Sequence, residues 1–126
     1  MRSQYRPMII MSTDRLELPH HVNAENRAMF SSSLYNLGIT TMYSHGEFLG
    51  QPEKGFVFED TPKNRAIALQ AMEQFNQECI LTIDNEGFGI LVYPDNREVR
   101  IGRLKVYDKK PQGDYTYVNG NFFNFV

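Results

Sequence analysis

The chain has 126 residues, 41% of them hydrophobic and 13% aromatic, with a formal net charge of −2. This describes one folded domain over residues 1–126 with a modest core, and it excludes a disordered chain. No apolar run approaches the ~20 residues that cross a bilayer as a helix, so no membrane role is expected.

The charge balance advertises no nucleic-acid partner. The N-terminal stretch Met1–Arg6 carries charge without the long apolar run of a secretory signal. A single cysteine, Cys79, excludes an intramolecular disulfide and any multi-cysteine zinc site. A reducing, cytoplasmic setting is therefore expected.

Taken in chain order, Met8-Ile-Ile-Met11 is a short apolar run with a polar exit, which predicts a buried strand. Asn23 is expected to cap a helix over 23–37, whose stripe is Phe30, Leu34 and Leu37, with Gly38 at its end. Ile39–Tyr43 is β-branched and aromatic and predicts a second strand. The segment from Gly46 to Gly55, rich in glycine with Pro52, predicts a loop that leads into a third strand at Phe56-Val-Phe58.

Thr61-Pro62 then starts a second helix over 62–76, carrying Ala68, Met72 and Phe75 on one face. Two strands, Glu78–Ile83 and Phe88–Tyr93, flank a turn at Asp84–Gly87, and Val99–Tyr107 adds a further strand. This order predicts an α+β fold, a ferredoxin-like split βαβ sandwich (βαββαβ) with extra C-terminal strands. The first strands are apolar on both faces, as Met11, Met42 and Val57 illustrate. Self-association is the expected way to cover the second face. The aromatic tail Phe122-Phe123-Asn-Phe125 should pack on the core or on a neighbouring subunit.

Chemistry concentrates around Glu53, delivered by the 46–55 loop to the mouth of an apolar strand. On residue chemistry alone a solvated loop acid, paired with Lys54, is the commoner outcome. The functional reading is a carboxylate fixed to receive an ammonium or polar group of a small ligand. Tyr43 and Phe48 would then wall a heterocycle or a sulfonium, with Gly50 and Gly55 permitting close backbone approach. His20, His21 and His45 lack the spacing of a metal site, and no metal or cofactor is expected. Cys79 reads as a packed thiol. The basic segment 97–110 with its tyrosines is compatible with a nucleic-acid backbone, but a solvated hairpin that discourages edge pairing is preferred.

The order of elements and several stretches resemble the small bacteriophage S-adenosylmethionine lyases, formerly called S-adenosylmethionine hydrolases. These stretches are Ile10-Met-Ser-Thr-Asp-Arg15, the helix from Glu25 to Gly38 and the Glu53-Lys54 pair. Glu73-Gln-Phe-Asn-Gln-Glu-Cys-Ile-Leu81, Gly89-Ile-Leu-Val-Tyr93 and Gly102-Arg-Leu104 complete them. The resemblance implies that the family's essential glutamate is Glu53, and that its nearby tyrosine falls on Phe48, which lacks the hydroxyl. It also implies a homotrimer with S-adenosylmethionine bound between subunits. The implied products are methylthioadenosine and homoserine lactone, in the service of countering host restriction and methylation. A non-catalytic relative of the same fold that binds and inhibits a host protein is the alternative.

Overall fold

A computed structural model describes residues 6–48 and 50–126. The elements are β1 (Met8–Met11), α1 (His20–Asn36), β2 (Met42–Phe48), β3 (Gln51–Glu59) and α2 (Pro62–Gln74), followed by β4 (Ile80–Ile83), β5 (Phe88–Val92), β6 (Glu98–Tyr107), β7 (Tyr115–Val118) and β8 (Asn121–Phe125). The strands close into an antiparallel barrel in the order β1-β3-β2-β7-β8-β6-β5-β4. The expected ferredoxin-like sandwich is therefore incorrect.

Two features overturn it. The 46–55 segment is not a loop but the body of a hairpin, pairing Gly46 with Glu53 and Glu47 with Pro52. Pro52 is tolerated because β3 runs past the end of β1 there, where one edge needs no donor. The C-terminal hairpin β7–β8 then bridges β2 and β6 and removes the open sheet edges.

Strand alternation divides the core in two. Ile9 and Met11 of β1 and Phe56 and Phe58 of β3 face the helices, where they meet Phe30, Leu34, Ala68, Met72 and Phe75. Ile10 and Val57, one residue out of phase, face the barrel interior with Ile83 and Phe123. The doubly apolar strands thus find both covers within one chain. Phe30 is the centre of the outer layer, edge-on to Phe56 at 5.0 Å and to Phe75 at 5.9 Å between ring centroids. The aromatic tail enters the interior through Phe123 and Phe125.

Local signals were read with mixed success. The Thr61 hydroxyl caps α2 by accepting from the Asn64 N–H at 3.1 Å. The Asp84 carboxylate accepts from the Glu86 and Phe88 N–H groups to close the β4–β5 turn. Gly38 ends α1 as expected: its N–H bonds to the Tyr35 carbonyl and that of Ile39 to Leu34. The start of α1 differs, at His20 with Pro19 before it. Asn23 is buried inside the helix instead, donating to the Arg15 carbonyl and accepting from the Arg15 N–H. Leu37, the third member of the stripe, is 46% exposed.

Gly46 tests the closure. A Cβ on it would lie 2.5 Å from the Tyr115 carbonyl oxygen, so β2 and β7 approach only because a side chain is missing. Gly46→Ala is expected to destabilise the fold by about 1–3 kcal/mol, as overpacking does. Urea unfolding measures this directly; a loop glycine in an open sheet would give no change.

Candidate functional site

The candidate site occupies one end of the barrel, where β1 ends, β3 begins and β4 is about to start. Ser12 donates to the Lys54 carbonyl at 2.7 Å and accepts from the Asp14 N–H at 3.0 Å, which bends the chain after β1 across β3. Gln77 donates to the Asp14 carbonyl at 3.0 Å. The Arg27 guanidinium of α1 reaches both Asp14 carboxylate oxygens, at 2.7 and 2.6 Å. Asp14 is therefore held by its own bend and by two other segments, α1 and the stretch after α2. Both partners of this ion pair are largely buried, which makes it a positioned pair rather than a surface contact.

Glu53 lies beside this arrangement without joining it. Its residue is exposed, and no hydrogen bond or ion pair to another described residue engages its carboxylate. Surrounding protein nevertheless strips water from the carboxyl, and this desolvation pushes its pKa above the ordinary glutamate value; the Asp14 charge adds to the rise. A carboxylate with poor hydration and a negative neighbour is one that a cation would relieve. Lys54, the adjacent residue, does not meet that need, because successive strand residues point to opposite faces.

Lys54 instead lines a cleft of about 290 Å³ between α1 and the β2–β3 hairpin, together with Arg27, Ser31, Tyr43, His45 and Phe56. The Tyr43 hydroxyl lies 2.8 Å from the Ser31 hydroxyl, and its ring packs against Phe56 at 5.6 Å. A second recess of about 400 Å³ continues along α1 past Ser31 and Tyr43 to Thr40, Thr41 and Tyr35. Tyr43 thus stands between two recesses.

Of the residues singled out in the sequence, Tyr43 lines the cleft and Glu53 lies at its hairpin without lining it. Gly50 sits in the turn at the hairpin tip with a positive φ of 78°, and the cleft does not reach it. The Phe48 side chain lies outside the described residues. Gly55 is close-packed, a Cβ there meeting the Ser44 hydroxyl at 2.5 Å.

Cys79 is half-buried, and its thiol pKa is raised by burial, then by Glu78 and by Glu53. It is a packed thiol and a poor nucleophile. His20 and His21 are exposed in the first turn of α1, and no cluster of metal-binding side chains occurs among the described residues.

Sequence reasoning passed over Asp14 and Arg27. Asn23, Arg27 and Ser31 recur every four residues and share one helix face, a signal that was available. His45 was assigned to a loop because β2 was placed three residues too early.

Fold and site together define a small antiparallel barrel flanked by two helices, with a cleft lined by tyrosine and bases on one face of the β2–β3 hairpin and the Glu53 carboxylate on the other. The chain belongs to the S-adenosylmethionine lyase family, whose model matches residues 9–126, from β1 to the C-terminus. No individually curated protein matches the chain. No helix among the described residues is long and apolar enough to cross a membrane.

The electrostatics of Glu53 predict a pH signature. A carboxyl with a raised folded-state pKa binds protons more tightly when folded, so it costs stability as pH rises from the ordinary glutamate value through the folded one. Glu53→Gln lacks this cost. Its melting temperature relative to the parent should therefore rise as pH is raised above the ordinary glutamate value. Parallel thermal melts showing a constant difference would contradict the assigned environment.

Proposed function

We propose that the protein is an S-adenosylmethionine lyase in which Glu53 anchors the substrate ammonium. The observation that carries this reading is the partly desolvated Glu53 carboxylate, without an ion pair or hydrogen bond among the described residues, in a chain of this family. The substrate brings its own leaving group. Its carboxylate oxygen attacks its γ-carbon, the Cγ–S⁺ bond breaks, and the bonding pair returns to sulfur. Neutral methylthioadenosine leaves and homoserine lactone remains, with no net proton transferred.

The protein's task is therefore to hold a folded near-attack conformer and exclude competing geometries. Neither a protein nucleophile nor a metal is required by such a step. Tyr43 is suited to border the adenosine, since its ring is 57% exposed beside both recesses. Phe48 brings no hydroxyl, and Tyr43 supplies the one tyrosine hydroxyl of the cleft lining.

Substrate bound between the subunits of a homotrimer completes the proposal. The support is the apolar border of the recesses, where Tyr35, Leu37, Met42 and Tyr43 are all exposed. Removal of the methyl donor in a host cytoplasm would starve restriction and methylation alike, which is the role we assign.

Two experiments test this reading. Incubation with S-adenosylmethionine should release methylthioadenosine, detected by chromatography. Glu53→Gln should reduce binding or rate about ten- to a hundredfold, since a charge-assisted hydrogen bond is worth roughly 1.5–3 kcal/mol. Equal calorimetric heats from both proteins, or none from either, would remove Glu53 as the anchor. Light scattering should return three subunits; a monomer at micromolar concentration would refute the shared site.

A further inference from the structure

We propose that the outer face of β6 binds single-stranded nucleic acid through its phosphate backbone, at a surface separate from the cleft. In a regular strand Arg100 and Arg103, three residues apart, point to opposite faces. Here Gly89 pairs with Gly102 and Ile90 with Arg100, which leaves Ile101 unopposed. This bulge shifts the phase of β6. Both guanidiniums consequently lie over one ring, that of Phe88, at 4.2 and 4.4 Å from its centroid. Two like charges are thus held within about 10 Å, a Debye length at ~0.1 M salt.

The row continues along β6: Lys105, two residues beyond Arg103 and so on the same face, lies over Tyr107 at 5.2 Å. The close ion pairs of the described residues engage other cations, namely Arg6, Arg15, Arg27, Arg65 and Lys110. Glu98, the acid of β6, lies opposite Val92 and acts electrostatically on Arg65 of α2. Stacking fixes each guanidinium plane through a ring and leaves its N–H edge for an anion.

The shape of the surface selects the partner. From Arg100 to Lys105 the row covers roughly 16 Å at about 3.3 Å per residue. It is a convex stripe rather than a pocket, so it fits an extended polyanion and not a compact phosphate ligand. Beyond Lys105 it meets half-buried rings: Tyr107 lies opposite Phe122, whose ring packs on Tyr117 at 4.7 Å. Cations interleaved with accessible rings match unpaired bases on a flexible strand better than a duplex.

Fluorescence anisotropy of the full chain with a labelled oligothymidylate of about 20 nucleotides tests this. Three cations imply a log–log salt slope of about −0.7 per charge, hence an affinity loss of about twentyfold between 50 and 200 mM salt. Arg100→Gln with Arg103→Gln should cut the slope by about two-thirds. Lys105→Gln, which leaves the Phe88 pair intact, should cut it by about one-third. Glu53→Gln should leave this binding unchanged while impairing S-adenosylmethionine binding, which separates this surface from the lyase reading. The proposal is overturned by no binding at 50 mM salt, or by equal affinity for duplex DNA or polyglutamate. A slope unchanged in both variants would overturn it as well.

Discussion

The structure depends on one constraint: β1 and β3 are apolar on both faces and must be covered twice. Their register, with Ile9 opposite Phe58 and Ile10 opposite Val57, decides which residues each cover receives. A slip of one residue would send Phe56 and Phe58 into the barrel and Val57 to the helices. The narrow interior has no room for two more phenylalanines, and Phe30 would lose its aromatic partners. The barrel and the helical layer are therefore two consequences of one pairing. Each buried face makes the other's register harder to change.

This constraint also fixes where a site can form. The helices cover the β1–β3 side, and β3 extends beyond β1 towards the hairpin tip. The overhang carries Glu53, Lys54 and Gly55 over the Ser12–Asp14 bend. Polar backbone left at the end of β1 is satisfied by side chains, chiefly Ser12 and Gln77. The same packing that holds Asp14 against Arg27 brings a second carboxylate, Glu53, near it, where partial desolvation and the Asp14 charge raise its pKa. Its lack of a described partner is therefore a product of the fold and not of a disordered loop.

What could be read from the sequence follows the range of the interactions involved. Thr61-Pro62 and Asp84–Gly87 act within four residues, so both were legible. The 46–55 hairpin was not, because its glycine and proline carry loop composition for reasons outside the segment. Gly46 is small because of the Tyr115 carbonyl, almost seventy residues away in sequence, and Pro52 sits where β1 has already ended. Barrel closure by β7–β8 was hidden for the same reason. Tyr115–Val118 and Asn121–Phe125 show ordinary strand composition, and nothing local names β2 and β6 as their neighbours. At the site, Glu53 and Tyr43 were legible as residue types. The Asp14–Arg27 pair was not, since it joins two elements whose facing sides depend on the register.

Net charge was the least informative global quantity. A balance of −2 hides a segregated surface. The Asp14 and Glu53 carboxylates gather at the end of β1, whereas the stacked cations occupy the outer face of β6. Segregation of this kind is costly, because like charges repel within each patch. The fold offsets part of that cost at β6 by placing guanidiniums over aromatic rings, and at the β1 end by the single ion pair of Asp14. Glu53 is left without such compensation. The barrel therefore presents a carboxylate that favours a cation at one location and guanidinium edges that favour anions at another, and a chain-averaged charge registers neither.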